Sequence, residues 1–133
     1  MRYLLKAAVP AFVLVQIYAV PTLGADSHFS KSLSRLDPET RLEQVCDIEA
    51  MERIDQGNNP FHPDRAKSNV ITSPQHIGNT LKGFGGAFRS NGHWYSFSFT
   101  CEGSPDHMKV LSFSYQIGKL IPESKWSAYG LWR

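Results

Sequence analysis

The side chains that could do chemistry in this chain are few and spread out. Cys46 and Cys101 are its two thiols, Glu49 and Arg53 stand four residues apart on a helical pattern, Arg89 and Trp94 flank an Asn-Gly turn, and Asp106-His107 end a Ser-Pro-Asp-His stretch. A pair of cysteines in an oxidising compartment is expected to join as a disulfide, whereas a reactive thiol needs a base beside it. Glu49 could serve as a functional acid, but an ion pair with Arg53 one helical turn away is the simpler account. Trp94 with Arg89 opposite, flanked by Ser96, Ser98, Thr100, Ser112 and Ser114, would make a flat polar face with one aromatic platform. Such a face suits a glycan or a protein edge, and the plainer alternative is Arg-on-Trp packing on a solvated sheet. Ser104 to His107 is either a binding loop or a turn in which Asp106 bonds its own backbone.

Catalytic arrangements are missing from this inventory. The chain has no G-x-S-x-G elbow, no H-E-x-x-H pair and no phosphate-binding loop, and Gly83 to Gly86 lacks the lysine and serine of one. The five histidines are scattered, not set at metal-ligand spacing. His93 and His107 fall at opposite ends of a strand, roughly 25 Å apart at ~3.3 Å per residue. We therefore expect no enzyme, no cofactor and no metal site.

The elements that must position these residues centre on Asn91-Gly92. Asn-Gly supplies the two positive-φ positions of a type I′ turn between β-patterned runs. A two-residue loop then pairs Ser90 with His93, Arg89 with Trp94, Phe88 with Tyr95, Gly86 with Phe97 and Phe84 with Phe99. Strict alternation puts Phe84, Phe88, Tyr95, Phe97, Phe99 and Cys101 on a core face, and Arg89, Trp94, Ser96, Ser98 and Thr100 outside. After the turn at 102–106, Leu111, Phe113, Tyr115 and Ile117 continue inward, and Val110, Ser112, Ser114 and Gln116 outward. Asn69 to Ser73 is a candidate short strand, and Asn58 to Arg65 reads as loop. The glycines at 83, 85 and 86 mark a bulge or a bend.

One face of this sheet is apolar and needs a cover. Asp37 caps, and Pro38 opens, a helix that runs to a stop at Gly57. Its stripe of Leu42, Val45, Cys46 and Ala50 brings Cys46 to the core that Cys101 enters from the sheet, so the disulfide staples helix to sheet. Closing that loop of more than fifty residues contributes about 4 kcal/mol in the chain-entropy picture. Ile48, Met51 and Ile54 lie off the stripe, as if the sheet curled around the helix. Asp26 to Leu36 is a polar lead-in with Phe29, Leu33 and Leu36 as docking points. Trp126, Tyr129, Leu131 and Trp132 are too apolar for a free tail and are expected to pack back. The fold class is α+β: one N-terminal helix on a curved antiparallel sheet of about four strands, in a single domain at 26–133 with its core at 37–133.

Residues 1–25 have the layout of a signal peptide. Arg2 and Lys6 precede an apolar run from Ala7 to Val20 and a small-residue stretch at 22–25. The run falls short of the ~20 residues that cross a bilayer, so no transmembrane segment is expected after cleavage. Without Arg2 and Lys6, the 14 bases and 12 acids of the chain come into balance, which removes any indication of nucleic-acid binding. The balance hides a polarity: Asp37 to Asp64 is strongly acidic, Arg65 to Arg133 basic. The expected location is periplasmic or secreted.

Arg41 to Met51, Pro63-Asp64-Arg65, Gly86-Ala87-Phe88-Arg89, Trp94-Tyr95, Ser104-Pro105-Asp106-His107, and Ile117-Gly118 to Leu131-Trp132 stand out as a set. Together they resemble a bacterial envelope family known only as domain of unknown function nine-thirty. The resemblance covers most of the chain and implies a secreted or membrane-tethered envelope protein of Gram-negative bacteria. It brings no activity with it. The function expected is a non-catalytic module that binds an envelope protein or glycan. The alternatives are an inhibitor or effector acting on another enzyme, and a small-molecule carrier with a cavity lined by Phe97, Phe99 or Phe113.

Overall fold

The computed structural model describes residues 25–133, so nearly all of the expected signal segment lies outside the described residues. Two helices, α1 (Ala25–Ser34) and α2 (Pro38–Gln56), precede five strands: β1 (Pro63–Lys67), β2 (Gln75–Ile77), β3 (Thr80–Ser90), β4 (His93–Gly103) and β5 (Val110–Leu120). The sheet is antiparallel and open, in the order β1-β3-β4-β5, with β2 pairing β3 beside β1. Two 3₁₀ turns, Glu123–Lys125 and Ser127–Tyr129, end the fold. Among the described residues no helix is long and apolar enough to cross a membrane.

Local chemistry sets the limits of α2. The Asp37 carboxylate accepts from Thr40 N at 3.0 Å and from Thr40 Oγ1 at 2.6 Å, Pro38 opens the helix, and the Gly57 N–H closes it on Ile54 O. Its buried stripe is Leu42, Val45, Cys46, Ala50 and Ile54. Ile54 therefore belongs to the stripe and not beside it, because Cys46, Ala50 and Ile54 recur at one-turn spacing on a single face. Burial of Leu42, Val45 and Ile54 stabilises the helix–sheet contact by roughly 1.5–3 kcal/mol each. The stripe meets Leu81, Phe88, Phe97, Phe99 and Cys101, and Cys46 is bonded to Cys101 with 6.1 Å between the Cα atoms.

The polar lead-in is helical, as α1. Leu33 is buried in the main core and Leu36 packs against it, while Phe29 is left largely exposed. Arg41, in the first turn of α2, ties the lead-in down: Nε donates to Leu33 O at 3.0 Å, Nη2 to Leu36 O at 2.8 Å and Nη1 to Asp106 O at 2.8 Å. On Leu33 O, Ser34 O and Leu36 O the guanidinium serves acceptors at and just past the C-terminus of α1.

The hairpin turn is as read, with Asn91 and Gly92 at φ 51° and 76°. Ser90, Arg89, Phe88 and Gly86 pair with His93, Trp94, Tyr95 and Phe97 as expected, but beyond Gly86 the register shifts and Phe99 pairs with Gly83. The bulge turns Phe84 outward, where it is 64% exposed. In its place Leu81 enters the core beside Cys101. A second shift, between Glu102 and Gly103, exposes Leu111 and turns Val110 toward the core, the reverse of simple alternation. Residues 69–73 are not a strand; the short strands lie on either side, because Arg65, Ala66 and Lys67 pair with Arg89, Phe88 and Ala87. Val70 and Ile71 instead both donate to Gly85 O, at 3.1 and 2.8 Å.

The disulfide spans 55 residues of sequence. Reduction is expected to lower unfolding free energy by about 4 kcal/mol, the loop-closure entropy of that span. Urea titrations with and without reductant measure it, and an unchanged midpoint would show that the packed helix needs no staple.

Candidate functional site

The outer face of the sheet divides into a covered half and an open half. At the Asn91 end, Ile121 N donates to Trp94 O at 2.8 Å, and the chain then folds over the sheet through its two 3₁₀ turns. Ala87, Trp94, Ile121, Trp126 and Leu131 form a second small core, with Val70 and Tyr129 against it. Trp126 Nε1 donates to Ile121 O at 3.0 Å and Trp94 Nε1 to Trp132 O at 2.7 Å, so both indole N–H groups are satisfied. The expectation of an exposed Trp94 platform is thereby corrected. Trp94 is 0% exposed, because the apolar C-terminal segment lies on it.

Arg89 does pack on Trp94, 5.8 Å from the ring centroid, and is equally close to Trp132. Its Nε and Nη2 donate to the two carboxylate oxygens of Asp64 at 2.9 and 2.7 Å. The Arg89 hydrogen bonds hold the Asp64 carboxyl below its usual range. This fork is a strut between β1 and β3.

The Asp106-His107 loop is likewise occupied with the fold. Asp106 accepts from Ser104 Oγ at 2.6 Å and from Met108 N at 3.1 Å, and the Ser104 hydroxyl leads in holding its carboxyl low. His107 is buried with φ 58°, and its Nδ1 donates to Pro38 O at 2.6 Å while Nε2 faces Asn79 Oδ1 at 3.0 Å. The loop thus docks on the start of α2. Glu49 and Arg53 form the expected one-turn pair at 2.7 Å on the helical side of the molecule. The three pairs do not converge on one site: Arg89 and Trp94 lie on the outer sheet face, Asp106 and His107 in the loop docked on the start of α2, and Glu49 and Arg53 on α2 itself.

The open half lies toward the other end of the sheet. Phe84 stands there among Lys82, Ser98, Thr100, Ser114 and Gln116, around a shallow depression of about 320 Å³. Phe84 also walls a second depression of about 190 Å³ with Ser96, Ser98 and Gln116. Beyond Ser96 a third, of about 230 Å³, is edged by Ile71, Leu120, Tyr129 and the lysines 119 and 125. Lys82 Nζ lies 5.5 Å from the Phe84 ring centroid. Hydroxyls, one amide, an exposed ring and cations can bind a polar ligand. Sequence reasoning placed Phe84 in the core, and the signal that it does not belong there is the three glycines around it.

A partly buried titratable group was also missed. Asp47, one residue past Cys46, accepts from Ser68 N at 2.8 Å, next to Glu43, whose Oε1 lies 3.0 Å from His76 Nε2. Desolvation pushes the Asp47 carboxyl up to about 7, against the Ser68 hydrogen bond. Glu43 and Asp47 at one-turn spacing beside the apolar stripe were the sequence signal. No group of three or more metal-ligating side chains occurs among the described residues.

The family model for Domain of Unknown Function (DUF930) matches residues 33–131. The chain belongs to this family. No curated protein and no solved structure matches it. The match opens at Leu33, the buried anchor of the DUF930 core, and closes at Leu131, in the second core. All the chemistry-bearing residues named above lie inside the DUF930 domain.

Two outcomes follow. Trp94→Ala should cost about 3–5 kcal/mol, as for a core aromatic, while Phe84→Ala should stay within about 0.5 kcal/mol of wild type; thermal melts of both separate core from surface. Asp47 has its folded pKa above its unfolded value, so its neutral form favours the fold and stability should rise as pH falls from about 7 to about 4. Below that, Asp37, Asp64 and Asp106, all held low, lose their native interactions as they protonate and stability should drop. Asp47→Asn should flatten the slope between about pH 5 and 7, read as melting temperature against pH.

Proposed function

We propose that this is a secreted, non-catalytic module that binds a partner in the cell envelope through the open half of its outer sheet face. The observation that carries the proposal is Phe84: a large ring 64% exposed at the centre of a polar face, walling two depressions. Lone exposed apolar residues are common, but this one sits between hydroxyl-bearing strands on a rigid sheet, where a binding surface is cheaply preorganised. The periplasmic or secreted location is supported by the signal-like start of the sequence and by the disulfide.

The carrier alternative draws less support. Phe97, Phe99 and Phe113, which would line its cavity, stack successively at 5.3 and 5.9 Å and pack in or against the main core. An inhibitor or effector would use the same exposed face against an enzyme, so it differs from the proposal in partner and not in surface.

Envelope extract passed over the immobilised protein should leave protein or glycan bound, and much less on the Phe84→Ala variant. Repeated recovery of nothing by wild type, or equal recovery by both, would count against the proposal.

A further inference from the structure

The three depressions on the outer face share an unusual lining. Lys82 stands in the first, Lys119 and Lys125 in the third, and no aspartate or glutamate lines any of them. The helical side is the opposite, since the depression beside Phe29 there carries Glu49 and Glu52 against one lysine. Glu102, the acid of β4 beyond Thr100, is turned to Ser112, whose Oγ donates to it at 3.2 Å. Between the cationic ends come Ser96, Ser98, Thr100, Ser114, Gln116 and the ring of Phe84.

From this arrangement we propose that the outer face is a subsite for an anionic glycan, one whose sugar rings carry carboxylates. This rests on the reading that the face is the binding surface and names what it binds. The electron-rich face of an aromatic ring attracts the polarised C–H groups on the flat side of a pyranose, and Phe84 presents ring surface to two depressions at once. Hydroxyl and amide side chains both donate and accept, which matches the mixed donor and acceptor pattern of sugar hydroxyls. The lysines choose the charge. Lys82 pairs with Thr100 across β3 and β4, and Lys119 lies beside Ser96, whose Oγ accepts from Lys119 N at 3.1 Å. Thr100 and Ser96 are four residues apart on β4, so the cationic ends are separated by about 13 Å at ~3.3 Å per residue. That is the span of a short oligosaccharide. A peptide strand would instead need the backbone edge of β5, which uses neither Phe84 nor the lysines.

The test is titration of the purified, disulfide-bonded protein with hexagalacturonate, with maltohexaose as neutral control and with oligoglutamate of equal charge as a non-sugar control. The proposal expects hexagalacturonate to bind more tightly than either control and affinity to fall with added salt. Phe84→Ala should abolish binding, and Lys82→Gln should weaken it about tenfold, the loss of one charge-assisted hydrogen bond. Equal binding of maltohexaose, equal binding of oligoglutamate, or indifference to Phe84→Ala would overturn it. If hexagalacturonate does not bind while wild type still retains envelope material in a Phe84-dependent way, the glycan assignment fails and the docking face stands. If that material proves to be protein, the ligand class is wrong and the surface is right.

Discussion

The aromatic rings of β4 occupy the space where β3 would otherwise have side chains. A Cβ on Gly86 would lie 2.8 Å from the Phe97 ring, and one on Gly83 would collide with Phe99. The core is therefore thick on β4 and bare on β3 only between Gly83 and Gly86, and glycine is required at both positions because two large rings cover the neighbouring backbone. Two residues, Phe84 and Gly85, stand between those glycines opposite the single Ser98, so the strand bulges by one residue and the parity of everything before it changes. Leu81 reaches the interior, and the disulfided Cys101 gains a fully buried partner across the strands.

Around that constraint the molecule closes unevenly. The inner face is sealed by α2, whose stripe meets the rings directly and is bonded to β4 through Cys46. The outer face is sealed only at the Asn91 end, where the indoles of Trp94 and Trp126 each donate to a carbonyl of the C-terminal segment. These bonds let two tryptophans serve as core without leaving a buried donor unpaired. Charge follows the same division, with acids concentrated on α2 and lysines on the open half of the sheet.

Much of this was legible in the sequence. Asp37, Pro38 and Gly57 delimit α2, Asn91-Gly92 fixes the hairpin, and two separate periodicities send Cys46 and Cys101 to one core. What alternation cannot supply is the number of residues in a bulge: Gly83, Gly85 and Gly86 announce one, but whether Phe84 goes in or out depends on rings contributed by the next strand. Trp94 was misplaced for a related reason. Parity puts it on the outer face correctly, and only the path of the final segment decides that this part of the face is covered. The helix of the lead-in was hidden because its capping carbonyls are satisfied by Arg41 of a different element.

Folding does not explain the phenylalanine at position 84. The bulge demands glycines on either side of it, yet nothing in the interior demands a phenylalanine at the crest, where neighbouring outward positions are serine, threonine and glutamine. Leaving such a ring in water forgoes roughly 1.5–3 kcal/mol of burial, and an exposed apolar group on an open sheet invites association with other chains. A small polar residue there would be compatible with the same bulge, the same pairs and the same core. Among the described residues the ring's one cationic contact is Lys82, 5.5 Å from its centroid, and local choice here departs from what the fold requires, which is why the proposed binding role rests on this residue. Around it stand hydroxyls and an amide, with lysines lining the first and third depressions and no carboxylate lining any of the three.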